Sequence, residues 1–170
     1  MTTLTVRPID LSHEAPALAK LCWDYRDLLM TRTVHVPDIM ERYYSQSDYA
    51  ALIEQLPDIH ARPKGDILLA DLDGTPVGCA MYYLHGTGSC EIKRIFVDQS
   101  ARGYGAGEKL VRTAMTRAKS DGHDHMVLDT VHTLTEAIAL YQRVGFVPAK
   151  PFYEPDPAYI DTLRFFDIQL

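Results

Sequence analysis

Cysteine is scarce in this chain: there are 3, Cys22, Cys79 and Cys90, an odd number with no CxxC pair among them. That spacing suits neither a disulfide framework nor a cysteine zinc site, so buried small thiols are expected and no metal is called for. Long apolar runs are missing as well; nothing approaches about eighteen uninterrupted apolar residues. The opening MTTLTVRPID has no basic segment leading into an apolar run, so no membrane partner is expected and a cytoplasmic location is the default. Positive charge is in deficit, with Lys+Arg 17 against Asp+Glu 23 and a formal net charge of -6. That balance argues against a nucleic-acid partner, which usually meets a basic stripe. Internal repeats, low-complexity segments and interdomain linkers are absent too. What is there is an ordinary globular composition, 46% hydrophobic and 24% charged over 170 residues, sized for a single domain over 1–170.

Hydrophobic periodicity divides the chain. Leu4 to Arg7 alternates and then meets Pro8, which suits a short strand. Leu18, Leu21, Cys22, Tyr25, Leu28 and Leu29 recur at helical spacing, predicting a helix from near Ser12 to near Met30, with Ser12 or His13 at its cap. TRTVHVPDIM reads as a loop running into one or two short helices between Pro37 and Leu56. In ILLADLDGTPVGCAMYYL, residues 67–84, Asp73-Gly74 separates two strand-like runs and signals a hairpin. CEIKRIFV at 90–97 and HMVLDTV at 125–131 read as strands with a loop and helix between them. A right-handed crossover makes those two strands parallel neighbours in an otherwise antiparallel sheet. Thr135 to Val144 is the last helix, with Gly145 at a left-handed cap, and LRFFDIQL is a strand after a proline-rich loop.

The most informative stretch is RIFVDQSARGYGAGEKLVRTAM, residues 94–115, where an apolar strand stops, Gly103, Gly105 and Gly107 follow, and an amphipathic helix starts. The first N–H groups of a helix lack partners within it, and glycines let the loop backbone approach an anion closely. Arg102 adds a charge-assisted contact. A dinucleotide fingerprint would need glycine where Glu108 stands, and a P-loop would need Gly-Lys-Ser/Thr, so neither applies. What remains is R-x-x-G-x-G, on Arg102, Gly105 and Gly107.

That loop resembles the R/Q-x-x-G-x-G/A signature of the GNAT superfamily of N-acetyltransferases, and two further segments carry the likeness. EIKRIFV resembles the family's bulged strand before the loop, and AIALYQRVGF, residues 137–146, resembles its A-x-x-x-Y-x-x-x-G-F signature. The resemblance implies an α/β (α+β) fold with a mixed, mainly antiparallel central sheet and helices on both faces. It implies acetyl-CoA as the acetyl donor, gripped at its pyrophosphate by Arg102, Gly103, Tyr104, Gly105, Ala106 and Gly107. Backbone groups at Phe96 and Val97 would orient the acetyl and pantetheine. Relatives often carry asparagine where this chain has Leu134.

Transfer to an amine needs a neutral amine, a polarised carbonyl and a proton for the leaving thiolate. By resemblance Tyr141 is the general acid; the competing reading is a core tyrosine on an apolar helix face. Glu91 is the candidate base, set against a strand glutamate that only pairs with Lys93. Asp129 is an alternative base or amine anchor. His123 and His125 flank Asp124 but lie in a polar turn, and read as surface histidines. Tyr43, Tyr44 and Tyr49 read as core aromatics before lining of an acceptor pocket, and His132 as a loop histidine before one approaching the active site. The expected activity is acetyl transfer to a primary amine of a small molecule or amino-acid-like compound. The alternatives are a non-catalytic acyl-CoA-binding module, or transfer to a protein N-terminus or lysine. The acceptor site is expected from residues 30–65 and 150–160. The oligomeric state is open, a homodimer included.

Overall fold

A computed structural model describes all 170 residues. Seven strands form one sheet, and five helices cover its two faces. In chain order these are β1 Leu4–Pro8, α1 Ala15–Arg32, α2 Asp38–Tyr44, α3 Gln46–Ile59, β2 Asp66–Leu72, β3 Thr75–Leu84, β4 Ser89–Val97, α4 Ala106–Ser120, β5 His125–Val131, α5 Thr135–Val144, β6 Val147–Pro148 and β7 Leu163–Gln169. The sheet order is β1-β2-β3-β4-β5-β7-β6. All pairings are antiparallel except β4 with β5. The expected fold class is therefore the one observed.

Several boundaries differ from the sequence reading for identifiable reasons. Pro8 belongs to β1, which is an edge strand, so its missing N–H costs no ladder bond. Helix α1 begins at Ala15 because Asp10 accepts hydrogen bonds from both the backbone N–H and the hydroxyl of Ser12, making a separate turn ahead of it. Arg7 then ties this corner together, reaching Glu14 at 2.6 Å and Asp71 at 2.7 Å. The Asp73-Gly74 turn has φ of 51° and 82°, the left-handed pair that a two-residue hairpin requires. Strand β6 escaped the periodicity because two residues carry none.

The core lies on both faces. Leu110, Val111, Ala114 and Ala118 of α4 join Tyr141 and Val144 of α5 against Leu68, Ala80, Ile92 and Leu128 of the sheet. On the other face Leu18, Leu21 and Cys22 of α1 and Tyr49 and Leu56 of α3 pack on Ile67, Leu69, Cys79 and Met81. A side chain such as Leu110, with no exposed surface, would cost about 2–5 kcal/mol on truncation to alanine. The three cysteines are free and buried. His123 is buried rather than on the surface: its ring packs edge-on to Tyr82, 6.2 Å between centroids, and it leaves Nε2 without a partner.

Candidate active site

The sheet opens where β4 and β5 part. They are paired only from Ser89 to Glu91 against His125 to Val127. Beyond Glu91 the edge of β4 that faces β5 is left without a strand partner. The cause lies within β4. Its register with β3 runs Cys79↔Phe96 and then Met81↔Lys93, leaving one residue, Ala80, on β3 opposite two, Arg94 and Ile95, on β4. Arg94 sits in this bulge with φ 51°, a left-handed conformation that is uncommon for a side-chain-bearing residue. The bulge also resets which side of the strand each residue faces. Ile92, Ile95 and Val97 share one cluster while Phe96 joins the opposite one.

A cavity of about 900 Å³ fills the opening. Phe96 and Val97 lie on its β4 wall, past the last residue paired with β5. Arg102, Gly103, Gly105, Ala106 and Gly107 line one end, where α4 begins. Gly103 and Gly105 have φ of 84° and 77°, so left-handed geometry rather than crowding calls for glycine there; a Cβ at either would meet nothing within 4 Å. The N–H groups of Gly103, Gly105, Ala106, Gly107 and Glu108 donate to no backbone carbonyl. Arg102 is engaged in no ion pair, whereas Glu108 is held by Arg112 and Arg143. Tyr104, 49% exposed, points away from the lining. A ring of free donors with a free guanidinium beside it suits an anion such as a pyrophosphate.

Tyr141 lies deeper in the cavity, 5% exposed, with its ring tilted against Phe146 and Phe166. Burial first, and then the charges of Asp129 and Glu136, raise its phenol above the ordinary tyrosine range. Glu91, 4% exposed, accepts from the Tyr83 hydroxyl at 2.7 Å and from Lys93 Nζ at 2.8 Å. Burial works against the Lys93 ammonium, yet Tyr44, Asp129 and Glu91 hold it well above the usual lysine range. Asp129 accepts from the Tyr153 hydroxyl at 2.7 Å. The cavity therefore gathers Tyr141, Glu91 and Asp129 together with the glycine loop.

Another part of the cavity wall comes from the segments least legible in the sequence. Ile39, Met40, Tyr43, Tyr44 and Leu52 line it from α2 and α3, and Phe152 and Tyr153 from the loop before β7. Tyr49 does not reach it; it is buried and donates to the Cys22 carbonyl at 2.9 Å. His132 also stays outside the lining, its Nδ1 3.2 Å from the Thr162 carbonyl oxygen. Leu134, 4% exposed, packs with Leu29, Met40 and Leu163. The junction where relatives often have asparagine is thus an apolar plug, fastened by Thr133 Oγ1 donating to the Arg32 carbonyl at 2.7 Å. Tyr83, Arg94 and Tyr153 are lining residues that sequence reasoning did not single out. One signal for Arg94 was present: Ile92 and Ile95 cannot share a face in a strand of strict period two.

A splayed mixed sheet with a donor-rich helix start at its mouth is the architecture of an acyl-CoA transferase class. The model of the Acetyltransferase (GNAT) family matches residues 28–146, and the chain belongs to that family. It is 34% identical over 134 residues to an IAA acetyltransferase of Azospirillum brasilense, covering 76% of this chain and 87% of that one. It is 40% identical over 93 residues to an uncharacterized N-acetyltransferase of Schizosaccharomyces pombe, covering 54% of this chain and 57% of the relative, so that match spans little more than half of the yeast protein. Among solved structures, the PaiA N-acetyltransferase of Thermoplasma acidophilum in complex with coenzyme A has a TM-score of 0.69 at 14% identity, covering 99% of each chain. That likeness is one of fold.

Proposed function

We propose that this chain moves the acetyl group of acetyl-CoA to a primary amine of a small molecule, by direct attack in a ternary complex. The observation that carries this reading is that the unpartnered N–H groups at the start of α4 and the Tyr141 phenol open onto one cavity, which lies where β4, bulged at Arg94, parts from β5. The donor loop fits a pyrophosphate by its chemistry, and a family relative of the same fold was solved with coenzyme A. Acetyl-CoA supplies the thioester carbonyl and the thiol leaving group.

The chain's own residues then have distinct tasks. The loop from Arg102 to Gly107 binds the pyrophosphate through backbone donors and one guanidinium. The unpaired edge of β4 at Phe96 and Val97 orients the pantetheine and acetyl, with a backbone N–H near the bulge polarising the carbonyl. Glu91, fixed by Tyr83 and Lys93, takes a proton from the incoming ammonium directly or through water. Tyr141 holds its proton and delivers it to the departing sulfur. Walls built from Tyr43, Tyr44, Phe152 and Tyr153 suit a compact acceptor better than a protein segment.

The test couples calorimetry with acetyl-CoA to a thiol-release assay across a panel of small amines. Binding together with turnover of at least one amine is expected. No binding heat at saturating acetyl-CoA would overturn the donor assignment. Tight binding with no turnover on any amine or lysate protein would leave a non-catalytic acyl-CoA-binding module.

A further inference from the structure

Arg94 is not needed by the scheme above, and its setting is costly. It is 7% exposed and lines the cavity. Its Nε has no hydrogen-bond partner, and the contact made by Nη1 is to the Met81 sulfur at 3.7 Å. It enters no ion pair. Carboxylates that line the cavity are already engaged: Glu91 by Tyr83 and Lys93, Asp129 by Tyr153, Glu136 by Arg32 and Glu108 by Arg112 and Arg143. Removing a guanidinium from water without an anionic partner is strongly unfavourable, and a buried polar atom left unpaired calls for an explanation. The backbone adds a second cost, since φ 51° is a strained conformation for arginine. The backbone conformation belongs to the bulge that opens the sheet, whereas the cost of the buried guanidinium is accounted for if the anion arrives with the substrate.

We infer that Arg94 binds a carboxylate of the acetyl acceptor, so that the acceptor is an amine that also carries a carboxylate, in the manner of an amino acid with an apolar or aromatic body. This rests on the acetyl-transfer reading for its amine, but the anion site can be tested apart from it. Arginine presents a planar fork matched to a carboxylate, whereas the neighbouring Lys93 is already spent on Glu91. Tyr25, Tyr44, Tyr83, Phe152 and Tyr153 supply the apolar walls. A decarboxylated amine entering the same cavity would leave the guanidinium buried and unpaired, and would be discriminated against on that ground.

The experiment compares kcat/KM for L-tyrosine against tyramine, and for L-phenylalanine against phenethylamine, in the native chain, Arg94→Met and Arg94→Lys. The native chain should favour the carboxylate-bearing partner by roughly ten- to hundred-fold. Arg94→Met should bring the ratio close to one, with acetyl-CoA affinity by calorimetry unchanged, and Arg94→Lys should restore part of the preference. Equal use of the two members of each pair by the native chain, or an unaltered preference in Arg94→Met, overturns the inference. A second arm titrates 3-phenylpropionate and 3-phenylpropan-1-ol into the native chain saturated with coenzyme A. Selective binding of the acid, lost in Arg94→Met, supports the anchor even if no amine is acetylated, an outcome that would sink only the acetyl-transfer reading. If the acid does not bind in preference to the alcohol, the anchor fails. Should Arg94→Met not fold, the native comparison and Arg94→Lys decide the matter.

Discussion

Tyr141 illustrates how much depends on one atom. By its packing against Phe146 and Phe166 it is an ordinary core residue. What acts on its hydroxyl is burial and two carboxylate charges, not a hydrogen bond to a neighbour, so the proton is available to a group entering the cavity. Replacing it with phenylalanine should lower kcat by roughly 100-fold, at the low end of the usual gain from a positioned acid, while the Kd for acetyl-CoA stays within error. A variant of full activity would remove Tyr141 from the chemistry. The pH profile offers a separate check. Because the phenol is raised above its ordinary value, its acid form persists to higher pH than that of a free tyrosine, near pH ~10. The rate should therefore rise as amine and base lose protons, with no alkaline decline from Tyr141 below about pH 10. A falling limb near pH ~9 that disappears in Tyr141→Phe would keep Tyr141 as the acid but contradict the upward shift of its phenol.

At the scale of elements, the doorway of α4 was legible because glycine at a helix start has few other uses. Gly105 caps the helix at φ 77°. Gly105→Val should strain that turn by about 1–2 kcal/mol and displace the free N–H groups. The expected result is a Kd for acetyl-CoA at least about tenfold weaker, read by calorimetry, with kcat at saturating donor much less affected. An unchanged Kd would mean that the loop is only a tight turn. The β2–β3 hairpin and the β4–α4–β5 crossover were equally readable, from Asp73-Gly74 and from apolar runs on either side of a helix. The cavity wall from α2 and α3 was not, because these helices present aromatic and apolar positions that serve the core and the cavity alike. Tyr44 and Tyr49 are five residues apart, yet Tyr44 reaches the cavity and Tyr49 is sealed beneath α1. The side-chain pairing of Glu91 with Lys93 followed from strand alternation, whereas the switch of face at Arg94 needs a bulge that period-two reasoning does not contain. His60, just past α3, shows a link invisible to sequence: its Nδ1 lies 2.9 Å from the Tyr82 carbonyl oxygen, fastening α3 to β3. Burial foremost lowers it from 6.5 to about 4. The folded state thus takes up this proton less readily than the unfolded chain. Its contribution is full above pH ~6.5 and declines as pH falls toward about 4. The chain's thermal midpoint should drop across that window, and His60→Asn should flatten the drop; an identical slope in the variant would place the acid sensitivity elsewhere.

For the molecule as a whole, the decisive feature is how little joins its two halves. Strands β1 to β4 form one antiparallel unit and β5, β7 and β6 another, and between them the sheet is continuous through only the three residue pairs of β4 and β5. The seven pairs of β5 with β7 make the contrast plain. Helices α4 and α5 bridge the gap on one face, where Leu140 approaches Gly107 so closely that an added Cβ would lie 3.1 Å from its Cδ2. The ion pair of Arg32 with Glu136 at 2.5 Å connects the end of α1, which covers the other face, to the start of α5. A donor molecule lying between β4 and β5 would take the place of the missing ladder, so binding and sheet integrity should be coupled. Acetyl-CoA at about 100 times its Kd should stabilise the fold by about 2.7 kcal/mol, which for a chain of this size means a rise in Tm of roughly 5–10 °C. Hydrogen exchange should show where that stability goes. Protection should rise at the free amides of Gly103 and Gly105 to Glu108, and along β4 from Arg94 to Val97. The β1–β2 edge should change by no more than the global shift. Uniform protection without enhancement at these two segments would show that the ligand stabilises the chain from somewhere other than the cleft.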